Sequence, residues 1–152
     1  MNKENLVALF HALAGAASLV ASFATRGQLV IPEEPIKTIG FIIFGLGVLL
    51  FTYALFYLRE AFGGNVQPVT EELITAGPYK FVRHPLYLAM LIMCLGLGIA
   101  MRSIWGLAIA LLLFFPLCIY RAKLEEASLL DKFEEEWEDY AKGTKLIIPF
   151  VY

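Results

Sequence analysis

The sequence predicts an all-α integral membrane protein: about four transmembrane helices plus a cytoplasmic amphipathic C-terminal helix. Three observations carry this prediction. The 152 residues are 59% hydrophobic, above the roughly 45–50% of soluble chains, and the mean hydropathy is +0.70. The apolar residues gather into four runs near the roughly 20 helical residues that cross a core of about 30 Å. The basic residues between these runs divide unevenly between the two faces that the runs define. The length suits one domain, so residues 1–152 read as a single membrane domain.

The first predicted span covers residues 6–24, and its small residues (Ala14, Gly15, Ala16, Ala17, Ser18) admit close approach by another helix. The second covers residues 38–58 and contains Gly40, Gly45 and Gly47. The third covers residues 85–101 and is slightly short; the fourth covers residues 103–120. Only Arg102 separates these two, which predicts a tight helical hairpin with Arg102 snorkelling at the far surface. Pro116 removes one helical hydrogen bond from the fourth span and is a candidate kink. A lipid-facing opening between helices is expected where the glycines of the second span let backbones approach.

Residues 121–142 predict a helix of another kind. Leu124, Ala127, Leu130, Phe133, Trp137 and Tyr140 form one apolar stripe. Asp131, Glu134, Glu135, Glu136, Glu138 and Asp139 form the opposite, acidic face. A helix that binds an anionic membrane surface is Lys/Arg-rich, so this one is expected to fold against its own bundle. Gly143 ends it, and the apolar tail from Lys145 to Tyr152 is expected to pack back or dip into the interface.

The N-terminus, residues 59–84 and residues 121–152 share one face. That face holds nine Lys and Arg, against Arg26, Lys37 and Arg102 on the other. The positive-inside bias then places both termini in the cytoplasm, in a multi-pass protein of the cell membrane. The long connection between spans two and three carries a turn signal at Gly63-Gly64-Asn65. A helical turn is expected from Thr70-Glu71-Glu72, closed by Gly77-Pro78.

Several classes are excluded. A formal net charge of −2 carries no nucleic-acid signature. Cys94 and Cys118 lie in apolar runs and read as small buried hydrophobes, with no Cys/His spacing for a metal. No cleavable signal sequence is read at the N-terminus.

Two polar clusters flank the hairpin. Arg83-His84-Pro85 stands at the entrance of the third span, where ionisable groups are costly unless they bind something. Pro85 suits the first helical turn, whose free N–H groups favour an anionic ligand. Arg83 offers an always-charged fork, and Tyr79 and Tyr87 add hydroxyls on flat faces. On the other side, Glu125-Glu126 follow the fourth span by one turn, and Arg121 is placed for an i,i+4 pair with Glu125. Adjacent helical residues diverge by about 100°, so one glutamate is expected to face the site while the other holds a partner. A ligand matching these groups has a carboxylate, an amine and a flat ring. S-adenosylmethionine has all three, and nucleotides and amino acids fit in part.

The run Gly77-Pro78-Tyr79, Val82-Arg83-His84-Pro85-Leu86-Tyr87, a hydrophobic hairpin, then Arg121, Glu125-Glu126, Leu129, Phe133, Tyr140 and Pro149 resembles the isoprenylcysteine carboxyl methyltransferase and phospholipid N-methyltransferase family. The resemblance covers residues 69–150. Leu88-Ala89 stand where the family often has glycine, and Trp137 where it often has tyrosine. It implies an S-adenosylmethionine-dependent methyltransferase with a cofactor pocket formed by both motifs and closed by the C-terminal segment. Tyr79, His84, Pro85, Tyr87, Glu125 and Glu126 are the implied cofactor-binding residues. Arg83 and Glu125 are the implied catalytic pair, acting on a lipophilic carboxylate, amine or thiol from the bilayer. Two rival readings stand beside it: an NADPH-dependent membrane reductase of the sterol-reductase type, and a non-enzymatic membrane interaction protein.

Overall fold

The structure is a computed structural model that describes residues 3–58 and 73–149. Helix α1 spans Lys3–Ala24 and α2 spans Glu33–Leu58. A 3-10 turn follows at Gly77–Lys80, then α3 at Pro85–Ala100 and α4 at Ile104–Ile109. A π-helical segment at Ala110–Phe114 joins α4 to α5, Phe115–Gly143. The outward faces of the bundle carry large apolar side chains, among them Val20, Leu49 and Leu112. In water such a surface would mark an interface or an aggregation liability; in a bilayer it is the lipid-facing surface of an all-α integral membrane protein.

The helix starts depart from the predicted ones where polar residues lead in. Helix α2 begins at Glu33 rather than at residue 38. Glu33 and Glu34 sit at its positive end, and Pro35 falls in the first turn, where a missing N–H costs nothing. Helix α3 stops at Ala100, and its 16 residues give roughly 24 Å, short of the core thickness as its sequence implied. Arg102 takes a left-handed conformation (φ 54°) to turn the chain, and Ser103 caps α4 by accepting from the Gly106 N–H. Arg102 does not simply snorkel: its guanidinium pairs with Glu33 at 2.9 Å and donates to the Ile31 carbonyl. Two backbone bonds, Gly27 N–H to the Met101 carbonyl and Leu29 N–H to the Arg102 carbonyl, close the same end.

The fourth span and the amphipathic helix, expected as two elements, run on as helix over Ile104–Gly143. Up to Glu134 the run reaches roughly 45 Å, past a core of about 30 Å, and beyond it the chain turns back, since Arg83 meets both Glu126 and Ala141. The π segment stands just before Pro116. There the Phe115 N–H reaches back to the Ala110 carbonyl, so the helix absorbs the missing donor by widening locally. A second break falls at Glu134 (φ 45°). The apolar stripe is only partly covered. Trp137 is buried and Leu124, Phe133 and Tyr140 are half-buried, but Ala127 and Leu130 are exposed. The covered face is rotated toward Arg121, Ala122, Glu125 and Leu129.

The glycines of α2 close a helix pair instead of outlining an opening. A Cβ on Gly40 would lie 2.2 Å from the Ala100 backbone nitrogen, and one on Gly47 2.7 Å from Met93 Cγ. Gly96 of α3 presses equally close to Phe44. Gly45 meets nothing within 4 Å. Helix α1 lies along α4 and α5 through His11, Ala14, Gly15, Ser18 and Ser22, spaced three and four apart. Ala16 and Ala17 face outward.

Gly77-Pro78 opens the 3-10 turn rather than closing a helix. Gly77 has φ 60°, and a Cβ there would strike the Tyr57 ring at 2.4 Å, so only glycine fits. The turn expected at Gly63-Gly64-Asn65 and the helical turn at Thr70-Glu71-Glu72 lie outside the described residues. The described part of the tail, residues 145–149, packs back on the bundle: Val82 and Lys145 form an isolated parallel bridge, and Leu146 and Ile147 join the core with Ala14, Tyr87 and Phe114.

Candidate functional site

The chain is folded so that both polar clusters meet. Pro85 opens α3 and is fully buried, with His84 as the residue before the first turn. The backbone N–H groups of Arg83 and His84 donate to the carbonyls of Lys145 and Leu146, at 2.8 and 3.0 Å. This ladder fixes the Arg-His-Pro corner to the tail. Helix α5 then brings Arg121, Glu125 and Glu126 across the mouth of the bundle.

His84 stands at the centre. Its Nδ1 lies 3.5 Å from Glu125 Oε2, and its Nε2 lies 3.6 Å from Glu126 Oε1. Both glutamates therefore meet His84, and Glu126 also holds Arg83 as its partner. The two ring nitrogens of one imidazole meet two neighbouring helical side chains. Nε2 is buried and has no hydrogen-bond partner. The Tyr87 ring stacks on the His84 ring with 5.5 Å between centroids. The Tyr87 hydroxyl donates to Glu125 Oε1 at 2.5 Å and accepts from Arg121 Nε at 2.8 Å. Arg121 also reaches Glu125 Oε1 at 3.2 Å, the predicted i,i+4 pair.

Arg83 is held on three sides. Its Nε donates to Glu126 Oε1, and its Nη1 donates to the carbonyls of Ala141 and Thr144. A charge-assisted bond of this kind is worth more than a neutral one. Here it ties the motif to Glu126 and to the end of α5 at once. Tyr79 is buried, and its carbonyl accepts from the Tyr140 hydroxyl at 2.7 Å.

The electrostatics follow from this crowding. Burial opposes a charge on His84, but the carboxylates of Glu125 and Glu126 outweigh it and hold the imidazole above its ordinary value. Burial also works against the carboxylates. At Glu125 it is outweighed by His84, Tyr87 and Arg121, and at Glu126 by His84 and Arg83. Both carboxyls are held below their usual range and stay ionised near neutral pH. Burial, with Tyr140 and Glu125 nearby, raises the Tyr79 hydroxyl, which remains a proton donor. Three cationic side chains thus face two carboxylates, which leaves one positive charge when His84 is protonated.

Sequence reasoning passed over His11, which is buried on α1 beside Tyr87, Phe114 and Cys118. The available signal was a lone imidazole in an apolar span, one turn from Gly15. Cys94 and Cys118 are both free and buried.

The chain is thus a helical membrane bundle with a compact polar cluster at one mouth, built from the Arg-His-Pro corner and the helix that follows the fourth span. The phospholipid methyltransferase family profile matches residues 36–136, and the chain belongs to that family. The resemblance seen in the motifs is borne out. Among curated proteins, the chain is 40% identical over 78 residues to the nickel-cobalt-cadmium resistance protein NccN of Alcaligenes xylosoxydans xylosoxydans, covering 51% of this chain and 36% of that protein. It is 38% identical over 80 residues to the cobalt-zinc-cadmium resistance protein CzcN of Cupriavidus metallidurans, covering 51% and 35%. It is 34% identical over 83 residues to the mouse Delta(14)-sterol reductase TM7SF2, covering 53% and 20%. The matches thus span about a third of the two bacterial relatives and a fifth of the mouse one.

Proposed function

We propose that the chain transfers a methyl group from S-adenosylmethionine to a lipophilic acceptor presented by the bilayer. One observation carries this reading. His84, Tyr87, Glu125 and Glu126 converge at one mouth of the bundle, inside the region that the methyltransferase family shares. The residues fit the cofactor. The unpartnered Nε2 of His84 offers a buried donor for an anionic group, and the ionised glutamates offer acceptors for an ammonium group. The buried Tyr79, Tyr87 and Pro85 would back these polar groups, with the Tyr87 ring stacked on His84.

S-adenosylmethionine, when bound, supplies a methyl group activated on a sulfonium. The work of the chain is alignment and exclusion of water, for which effective molarities reach about 10⁵–10⁸ M. Glu125 accepts a hydrogen bond, and finally the proton, from an amine or thiol acceptor. With Nε on Glu126 and Nη1 on two carbonyls, Arg83 positions Glu126 and the closing tail, and a carboxylate acceptor would compete with Glu126 for it. Both termini are assigned to the cytoplasm of a cell-membrane protein by the distribution of Lys and Arg.

The test is calorimetric binding of S-adenosylhomocysteine to the full chain in detergent, with NADPH and a Glu125→Ala/Glu126→Ala variant in parallel. Micromolar binding, weakened at least about tenfold in the variant (about 1.4 kcal/mol), is expected. Folded protein that ignores S-adenosylhomocysteine would overturn the reading. The similarity to a sterol reductase favours the nicotinamide arm as the second reading, so NADPH binding would then mark a reductase. Binding of neither would mark a non-enzymatic protein.

A further inference from the structure

Helix α1 lies ahead of the residues that the family shares, which begin at residue 36. It nevertheless brings an imidazole to the rear of the site. His11 is 6% exposed. Its ring stacks on Phe114 (4.9 Å, 29°) and meets Tyr87 in a T-shaped contact (5.2 Å, 68°). Its Nε2 lies 3.4 Å from the Cys118 Sγ.

An imidazole inside a membrane span is costly, and a leucine would fill the space at less expense. Three features argue that the ring is placed for a purpose. Phe114 closes the π-helical segment, a local widening that is frequent at functional sites. Gly15, one turn along from His11, gives that ring its clearance, since a Cβ there would stand 3.0 Å from Phe114 Cε2. His11 and Gly15 thus hold Phe114 as a pair. Tyr87, the third party, joins His84 through its ring and Arg121 and Glu125 through its hydroxyl. A swing of the whole Tyr87 ring about χ1 would displace its hydroxyl and break both bonds, whose geometry tolerates little misalignment.

We propose that His11 is a positioning residue of the site: α1 supplies an imidazole that fixes the Tyr87 ring and so aims Glu125 and Arg121. Aromatic contacts of this kind contribute about 0.5–1.5 kcal/mol beyond burial, and their directionality is what a leucine would lack. The proposal rests on the S-adenosylmethionine reading only for its first readout.

The experiment compares His11→Ala, His11→Phe and Ser22→Ala in the full chain in detergent. Ser22 is the control: it is buried on the same stripe of α1 and hydrogen-bonds the Ser18 carbonyl, far from the site. Thermal unfolding first confirms that each variant is folded. Calorimetry with S-adenosylhomocysteine should show affinity about tenfold weaker in His11→Ala, mostly restored in His11→Phe, and unchanged in Ser22→Ala whatever its melting temperature. Hydrogen exchange should show loss of protection in His11→Ala at residues 88–91 and 121–126, and not at residues 18–24. Affinity unchanged in His11→Ala, or lost equally in Ser22→Ala, would overturn the proposal. If the wild type binds no S-adenosylhomocysteine, the cofactor reading fails separately, and the exchange pattern alone decides: localised loss supports His11, and uniform or absent change overturns it.

Discussion

At the scale of single residues, His84 shows how one side chain can couple the site to pH. Its imidazole lies between two ionised carboxylates and is held above its ordinary value of 6.5 despite burial. A base whose value is raised by folding binds its proton more tightly in the native state, so protonation favours that state. That contribution is complete below pH 6.5 and is lost as pH rises through the higher folded value. Thermal unfolding in detergent from pH 6 to pH 9 should therefore show falling stability, and His84→Gln should flatten the slope. A wild-type curve that is level, or that rises over this range, would show that Glu125 and Glu126 do not hold the proton. The carboxylates act in the opposite sense. Their contribution is present above about 4.5 and is lost as pH falls through their lowered folded values. The identity of these residues was legible because charge beside an apolar run is rare. Their geometry was less so. Nothing in the spacing shows that one imidazole reaches both glutamates, or that Arg83 takes its second and third partners from the carbonyls of Ala141 and Thr144.

At the scale of elements, apolar runs located every span, but their ends were set by chemistry that hydropathy does not weigh. Glu33 and Glu34 extended α2 because acids suit a helix start. Residues 121–133 did not separate from the fourth span, because no Gly or Pro stands between Pro116 and Gly143 to break the helix there. Glycine pattern showed that close packing occurs in α2, but not which glycine takes part. The structure separates them. A side chain at Gly96 would enter the Phe44 backbone, with a Cβ 2.4 Å from its nitrogen, while one at Gly45 would meet open space. Gly96→Leu should cost about 1–3 kcal/mol or more through overpacking, read as a lowered melting temperature in detergent. Gly45→Leu should leave stability within about 0.5 kcal/mol. Equal effects at the two positions would mean that α2 and α3 are not in this register.

At the scale of the whole molecule, the two ends of the bundle are built differently, and orientation in the membrane is the property to test. One end is closed by short connections: Gly27 and Leu29 bond to Met101 and Arg102, and Arg102 pairs with Glu33. The other end carries the Arg-His-Pro corner, the second half of α5 and the tail that returns to residues 81–84. Tyr57, at the end of α2, packs on Gly77, so α2 ends where α3 begins. The start of α1 belongs to the same end, because His11 touches Tyr87. Three long apolar helices and the shorter α3 return the chain to its starting face, and the nine-to-three division of Lys and Arg predicts that this face is cytoplasmic. Reporters fused singly to each terminus, in a bacterial inner membrane, should both report the cytoplasm: a fluorescent protein bright and an alkaline phosphatase inactive. Both reporters outside would invert the orientation while leaving the bundle intact, and would put the glutamate pair on the wrong side for a cytoplasmic cofactor. Reporters on opposite sides would contradict the four crossings themselves, because no even-numbered bundle separates its ends.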